Sequence, residues 1–462
     1  MQLKDIPVYD FMVIGCGPAG STVATKLIRK GYSVLVFERT KFPRQHEGES
    51  LLPFCYPIFK ELGVWDELKK HFVRKPGARF TNYDGKQSCT WFFKSVIPDE
   101  SHLSFNVERA YFDDILMRNA IKNGVVVLEE TKVEAVDKTR PDGLVAVNTV
   151  NKAGERQTWM GKYIIDASGQ ETFLAKRDGA KNAYQELDRI AWLGHWKGAH
   201  YKHGAEQGLI DIVHMGNGKK GWFAIQPVGK DLISLTMIVE RQYMKEQKKL
   251  LMDMGIEDWQ EAFYLKEIRE CPVTQEVLCD AHMRARFVVV SDYSYFSDII
   301  YGDNFALIGD SYKFLDPIFS TGVYLAMKSA DLFAEAIHVK LNSDKEAGDQ
   351  KLEETFKTIR GAYDLVEKFI NIYYDPATLN LAELQSQASS NYEGYEEAFS
   401  LIHFLLAGDF FDNYDRYAKF LDMIKNPLKY EQWKSLIVDS VFDADKYHFS
   451  YEEIFGEIID KT

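Results

Sequence analysis

Three glycines, Gly15, Gly17 and Gly20, stand in the run Gly-Cys-Gly-Pro-Ala-Gly between an apolar stretch, Phe11 to Ile14, and a helix-forming one, Ser21 to Lys30. This spacing suits a pyrophosphate. Gly15 permits the tight turn, Gly17 lets the backbone approach the phosphates, and Gly20 lets the helix pack on the sheet. Ala19 lies in the same loop, and the helix N-terminus adds favourable charge. Glu38 follows at the end of the next apolar run, Ser33 to Phe37, where a carboxylate can accept the hydroxyls of a ribose; Arg39 is beside it. Together these residues specify a dinucleotide site. Two further groups could do chemistry. Lys75 precedes Pro76, and a proline pushes its predecessor toward extended backbone, so the amine projects from a fixed point. Ser320-Thr321-Gly322 leads into a helix-forming run that starts at Val323, and backbone N–H groups at a helix start form an anion site.

The elements that must position these groups can be read along the chain. Residues 9–38 predict strand, glycine turn, helix and strand, a βαβ unit. Residues 111–122 predict an amphipathic helix, followed by a strand from Val125 to Leu128, and Lys162 to Ile165 predict a short strand running into Asp166-Ala-Ser-Gly169. Between about 188 and 240 the texture changes to strand-like runs in which Ile233, Leu235, Met237 and Val239 alternate with neighbours of mixed polarity; a half-buried antiparallel sheet is expected. Past residue 325 the chain turns helical, with Leu352, Phe356, Ile359, Tyr363, Val366, Ile370 and Tyr373 on one face of a long helix. The acidic stretch near the end reads as a solvated surface.

With 462 residues the chain should form two or three structural units, and its 46% hydrophobic and 27% charged residues are those of a globular protein. A net charge of -13 gives no electrostatic footprint for nucleic acid. The five cysteines are scattered and contain no Cys-x-x-Cys pair, so neither a disulfide framework nor a metal site is signalled. A reduced, cytoplasmic protein without an integral membrane segment or a secretion signal is expected.

Two glycine-acid turns connect the dinucleotide site to a family. Gly309-Asp310 after the run 305–308, and Asp166-Ala-Ser-Gly169, resemble motifs of the large family of FAD-dependent monooxygenases, in the family's order. That resemblance implies FAD, with Asp310 toward the ribityl chain. It narrows at four places to the flavin-dependent halogenases, closest to those acting on phenols and pyrroles, over roughly the first 375 residues. Phe42-Pro-Arg-Gln-His46-Glu-Gly48-Glu49-Ser50-Leu-Leu-Pro53 resembles the stretch after the second strand. It implies flavin contacts for Glu49 and Ser50; Gly48 suggests a turn and Ser50 a helix cap. Phe72-Val-Arg-Lys75-Pro-Gly77 places Lys75 where the family carries a lysine that acts on the oxidised halide. Phe314-Leu-Asp316-Pro317-Ile-Phe319-Ser320-Thr321-Gly322-Val323 matches the pattern in which a helix start holds halide beside the flavin. Val107-Glu-Arg109-Ala-Tyr-Phe112-Asp113 resembles the stretch whose arginine approaches the cofactor.

The fold expected from this resemblance is α/β. A Rossmann-like FAD-binding domain (1–80, 100–180 and 285–340) carries an inserted antiparallel β-sheet substrate domain (81–99 and 181–284) and a C-terminal helical region (341–462). The cofactor set is Gly15, Gly17, Ala19, Gly20, Glu38, Arg39, Glu49, Ser50, Arg109, Asp310, Pro317, Gly322 and Val323. Halide binding falls to Ser320, Thr321 and Gly322, and catalysis to Lys75. Trp91, Phe93, Trp222, Phe319 and Tyr363 are candidate tunnel or substrate contacts, and no metal is expected. The implied reaction is halide oxidation through a flavin C4a-hydroperoxide, followed by halogenation of a phenol, pyrrole or indole, free or carrier-tethered. A separate flavin reductase would supply reduced FAD. One motif departs: the family's Gly-Trp-x-Trp-x-Ile-Pro appears as Gly221-Trp222-Phe223-Ala224-Ile225-Gln226-Pro227. Its second tryptophan and its isoleucine are replaced, which leaves open an aromatic hydroxylase. A reductase of isoprenoid double bonds and a non-catalytic flavin-binding subunit are further alternatives.

Overall fold

The computed structural model describes residues 7–184, 188–200, 208–291, 294–375, 381, 401–426, 428, 449–456 and 458. The first structural unit grows from the glycine loop. The strand Val8–Ile14 is buried along its second half, and the helix Pro18–Arg29 begins where Pro18 supplies a helix-ready φ without needing an N–H partner. Val34–Phe37 then returns parallel to the first strand, closing the βαβ unit.

Seven strands form the sheet beneath this unit. In order they are Val126–Leu128, Val34–Phe37, Val8–Ile14, Arg156–Asp166, Val145–Asn151 and Thr131–Asp137, with Phe305–Leu307 joining on Arg156–Asp166. The pairings among the first four, and with Phe305–Leu307, are parallel. The strand ends Ile14, Phe37, Asp166 and Leu307 therefore point the same way, toward the edge where an open α/β sheet binds ligands. The helix Gly322–Asn342 packs against the glycine helix, and the helix Lys345–Tyr374 packs against Gly322–Asn342.

The second unit is an eight-stranded sheet, ordered His282–Met283, Arg189–Lys197, Leu232–Glu240, Gly221–Gly229, Ile210–His214, Gly77–Thr81 and Ser88–Phe92, with Val288–Val290 also on Arg189–Lys197. All its pairings are antiparallel except that of Ile210–His214 with Gly77–Thr81. Alternation sorts its side chains. Phe223, Ile225, Leu235 and Met237 fill a core covered by the helices Arg241–Asp253 and Trp259–Glu270, whereas Trp222, Ala224, Gln226 and Ile238 face the other way. The strand Gly77–Thr81 belongs to this sheet, so the boundary expected at residue 80 falls inside a strand; Val288–Val290 likewise belongs here rather than to the stretch beginning at 285. Ser50 does not cap a helix. It forms a bridge to Asn106, and the next helical turn starts at Pro53. Much of the expected C-terminal helical region, including 376–380, 382–400 and 429–448, lies outside the described residues.

Candidate active site

A cavity of about 830 Å³ lies where the parallel strands end and the Trp222 face of the second sheet begins. One wall is the glycine loop. Gly15 has φ +92°, and a Cβ there would lie 2.5 Å from the Ala167 carbonyl oxygen; a Cβ on Gly20 would lie 2.0 Å from the Gly15 oxygen. Neither position admits a side chain, so backbone alone lines the approach to the helix start. Glu38 is buried, with one carboxylate oxygen accepting the Cys16 N–H at 3.0 Å and the other accepting Thr40 N and Oγ1 at 3.0 and 2.7 Å. Its carboxylate is thus tied to the loop at the ribose-side end of the cavity. Arg39 lines the cavity too, paired with Glu171 at 2.6 Å.

Opposite this wall lies the segment from Arg44 to Ser50. Arg44 reaches to 3.4 Å from the position of a Gly17 Cβ, where a cation suits a pyrophosphate. His46 is pushed down to about 3 by burial and by the nearby Arg109 and Arg44, so it is neutral near pH 7; its Nδ1 donates to the Glu47 carbonyl at 3.0 Å. Arg109 is the first residue of the helix Arg109–Lys122 and binds Asp113 with two parallel hydrogen bonds, 2.8 and 3.0 Å, while a third N–H reaches the Glu47 carbonyl. Burial raises the Asp113 carboxyl, but Arg109 more than offsets it and holds it below the usual range. Asp310 goes the other way: burial, and then the Glu47 charge, push it up to about 7 against Arg109.

The anion-facing end is built by the turn Pro317–Phe319, whose start is capped by Asp316 accepting the Ile318 N–H at 3.1 Å. Ser320 then adopts φ +58° and the helix Gly322–Asn342 begins. The first N–H groups of a helix have no intrahelical acceptor. Pro317, Ser320, Gly322 and Val323 line the cavity, whereas Thr321 is buried beside it.

Lys75 does not line this cavity. It ends the strand Val73–Lys75, is 1% exposed, and donates from Nζ to the Leu51 carbonyl at 3.1 Å, above the Phe93 ring at 5.3 Å. Burial lowers its amine to about 7. Ser50 lines the cavity and Leu51 touches the amine, so the backbone at Ser50–Leu51 is the partition between them. Of the candidate aromatic contacts only Trp222 lines the cavity. Phe93 lies under Lys75, Trp91 packs on His403, Phe319 stacks on Phe369 at 4.0 Å, and Tyr363 meets Tyr312 edge to face at 5.4 Å in the core. Gly20 sits behind the loop, where it spaces the helix from the sheet.

Several lining residues escape a reading of the sequence. Thr131 to Glu134 reach the cavity because their strand lies beside the ribose end, and Gln226, Thr236 and Ile238 because alternation turns them from the second core. Arg44 could have been found from its place in the Phe42-Pro-Arg stretch. The glycine cradle, the helix start, Glu38 and Arg44 fit FAD: backbone amides and a guanidinium for two phosphates, a carboxylate for a ribose, and a broad second compartment for a planar ring.

The FAD binding domain family matches residues 8–362. Tryptophan 2-halogenase from Chondromyces crocatus is 33% identical over 331 residues, which are 71% of this chain and 60% of that protein. A 1H-pyrrole-2-carbonyl-[peptidyl-carrier protein] brominase from Pseudoalteromonas luteoviolacea is 33% identical over 340 residues, 72% of this chain and 78% of that protein. The myxobacterial chondrochloren halogenase CndH superposes with a TM-score of 0.73 at 30% identity, over 87% of this chain and 90% of that one. Against some curated relatives the chain spans only 60 to 62% of their length.

Proposed function

The chain belongs to the FAD binding domain family and, within it, to the flavin-dependent halogenases, and from that premise we propose that it oxidises halide with oxygen activated by reduced FAD and halogenates an electron-rich arene. The observation that carries this reading is a buried amine set one stretch of backbone away from the cavity. A helix start fit for an anion faces the cavity, and a buried amine held near neutrality by desolvation lies just behind the Leu51 carbonyl. Hydroxylation by a flavin has no use for such an amine, whereas an amine can hold and direct electrophilic halogen.

Bound reduced FAD would supply oxygen activation. The chain's own groups do the rest. The amides of Gly322 and its neighbours, with Ser320, hold the halide next to the ring compartment. Arg44 and the glycine loop hold the pyrophosphate, Glu38 a ribose, and Asp310 the ribityl chain. Lys75, its amine lowered to about 7, hydrogen-bonds hypohalous acid or forms an N–halogen bond as the O–halogen bond breaks and hydroxide leaves with the amine proton as water, and it presents the halogen to the arene. The Phe93 ring and the dry surroundings keep that oxidant from water. A reductase partner and a cytoplasmic setting belong to the same reading, as do the expected units once Gly77–Thr81 and Val288–Val290 are given to the second sheet. Among the described residues no helix is long and apolar enough to cross a membrane. The brominase relative is named for a carrier-bound pyrrole, which makes a carrier-tethered substrate the alternative to a free one.

A second reading has one observation behind it. Ala224 and Gln226 both line the cavity, so the replaced motif residues leave space next to the ring compartment where a substrate could meet the flavin directly. One experiment separates the two. Chemically reduced FAD, oxygen, and a panel of phenols, pyrroles and indoles are supplied with chloride or bromide, and products are read by mass. Halogenated products that disappear in Lys75→Ala support halogenation; hydroxylated products that ignore both halide and Lys75 overturn it.

A further inference from the structure

Gln226 lines the cavity, and behind it on the same sheet face runs a polar row to which the reading above gives no role. Gln226 and Ser234 are cross-strand partners, and Ser234 in turn pairs with His195, so the three side chains stand side by side on the cavity face of the second sheet. The row is unusual for its unmet hydrogen bonds. Gln226 Oε1 and Ser234 Oγ have no partner among the described residues although Gln226 is 4% exposed and Ser234 is 0% exposed. Leaving a buried polar atom unpartnered is costly, so native interiors keep few of them, and a pair of neighbours on one face marks a place for a ligand.

Two flanking groups extend the row. His195 Nδ1 lies 2.8 Å from Arg284 Nη2, and a guanidinium only donates, so the imidazole proton sits on Nε2 and is given to Glu49 Oε1 at 2.9 Å. Glu49 is thereby fixed with Oε2 unpartnered at the cavity wall. On the other side, Asn106 donates from Nδ2 to the Gly208 carbonyl at 2.9 Å, which leaves its Oδ1 as an unpartnered acceptor. Asn106 pairs with Val73, two residues before Lys75, and the strand Gly221–Gly229 that carries Gln226 touches both strands of that antiparallel pair, Val73–Lys75 and Ser104–Asn106. The free atoms are mainly acceptors, and they run from the cavity toward the strand that bears the amine.

We propose that Gln226 and Ser234, flanked by Glu49 and Asn106, form a hydrogen-bonding subsite that accepts the O–H or N–H of a small arene, a phenol or a pyrrole, and holds it between the flavin compartment and Lys75. Trp222, Ala224 and Ile238, next along the same face, give the apolar bed for the ring. A substrate lacking a donor leaves the acceptors unpaired and is rejected for that reason. This deepens the halogenase reading and rests on it for the identity of the arene, while the site itself is tested by binding.

Binding of a phenol and a pyrrole, and of their O-methyl and N-methyl analogues, is measured by calorimetry on the FAD-loaded protein, its Gln226→Leu and Gln226→Met forms, and Ser234→Ala. FAD affinity is measured in parallel from flavin fluorescence. Affinity for the donor-bearing arenes falls about tenfold or more in the variants, the methylated analogues bind weakly throughout and do not change, and FAD affinity holds. Equal losses for methylated and unmethylated arenes, unchanged binding of both, or a matching loss of FAD overturns the proposal; the last would give the row to the flavin. Ser234→Ala removes only one oxygen and keeps the test open should both Gln226 variants fail to fold. Absence of halogenated product with intact, Gln226-dependent phenol binding would sink the halogenase reading and leave the subsite standing.

Discussion

Trp222 donates its indole N–H to the hydroxyl of Tyr374 at 2.7 Å, and that hydroxyl donates to Asp316 Oδ2 at 3.0 Å. The first residue comes from the cavity floor, the second from the last turn of the helix Lys345–Tyr374, and the third stands directly before the anion-facing turn. The guanidinium of Arg189 lies 3.6 Å from the Tyr374 ring centre, with its Nε 3.4 Å from the same Asp316 oxygen. Burial pushes the Asp316 carboxyl up, and Arg189 and the Tyr374 hydroxyl oppose it. The cavity sheet, the end of the helix Lys345–Tyr374 and the turn before Gly322–Asn342 are therefore tied through one hydroxyl.

Tyr374→Phe should expose how much that lock contributes. The ring and its packing under Arg189 stay, but the Trp222 N–H and one Asp316 oxygen lose their partner. A loss of about 1–3 kcal/mol in urea unfolding is expected. Because Asp316 also caps the turn at Ile318, the bromide concentration giving half-maximal product should rise in the same variant. Unchanged stability together with unchanged bromide dependence would show the contact to be incidental.

Gly20→Ala tests the cradle by geometry alone. Its Cβ would sit 2.0 Å from the Gly15 oxygen, a backbone atom that can yield only by moving the loop. The protein should fold, since the strand and the far end of the helix are untouched, but FAD affinity should drop at least about tenfold, because the amides no longer converge on the pyrophosphate. Flavin fluorescence titration reads the result. Gly31→Ala is the control: nothing lies within 4 Å of its Cβ, so its cost is the strain of φ +89° without a change in the cradle.

The contrast between these sites explains what a sequence exposes. The glycine loop was legible because backbone constraints are written as residue types at fixed spacing, and Lys75 was legible as an extended residue because Pro76 acts on its immediate neighbour. The polar row was not legible. Gln226, Ser234 and His195 come together through antiparallel register, a property of pairing between strands that no local pattern records. Aromatic spacing misleads in the opposite direction. Phe319 and Tyr363 have the composition of a tunnel wall, yet Phe319 stacks on Phe369 and Tyr363 meets Tyr312 edge to face, since rings spaced along the chain look the same in sequence whether they meet a ligand or one another. Ser50, expected as a cap, is claimed instead by a bridge to Asn106 more than fifty residues on.

Asp310 should reveal itself through pH. Burial lifts its carboxyl to about 7, so in the flavin-free fold it holds a proton that the unfolded chain releases above about 4. Between those values the native state binds more protons, and stability falls as pH rises; above about 7 the full burden is present. Asp310→Asn removes it. The flavin-free variant should match the parent near pH 4 and exceed it by up to a few kcal/mol at pH 8, while losing FAD affinity, because an amide is a poorer acceptor for a ribityl hydroxyl. Thermal unfolding across the pH range checks the first part and flavin titration the second. A variant less stable than the parent at pH 8 would place Asp310 in a structural ion pair instead.

Lys75 gives the sharpest test, because stability and activity are expected to move in opposite directions. Burial lowers the amine to about 7, against an unfolded value near 10.4. Between these pH values the unfolded chain binds the extra proton, so stability rises with pH through that window. Below about 7 the folded protein carries a buried ammonium whose only hydrogen-bond acceptor among the described contacts is the Leu51 carbonyl, and it bears the full cost. Lys75→Met keeps the length and the contact with Phe93 but has no charge to bury. It should therefore be more stable than the parent at pH 6, on the order of a few kcal/mol, with the advantage fading toward pH 10. Structural lysines are not selected to cost stability at neutral pH, whereas an amine needed as a neutral nucleophile is. The same variant should retain FAD, consume reduced FAD and oxygen, and form no halogenated arene. If Lys75→Met instead proves less stable at every pH and still halogenates, the amine is a packing element and the partition behind Leu51 has no catalytic meaning.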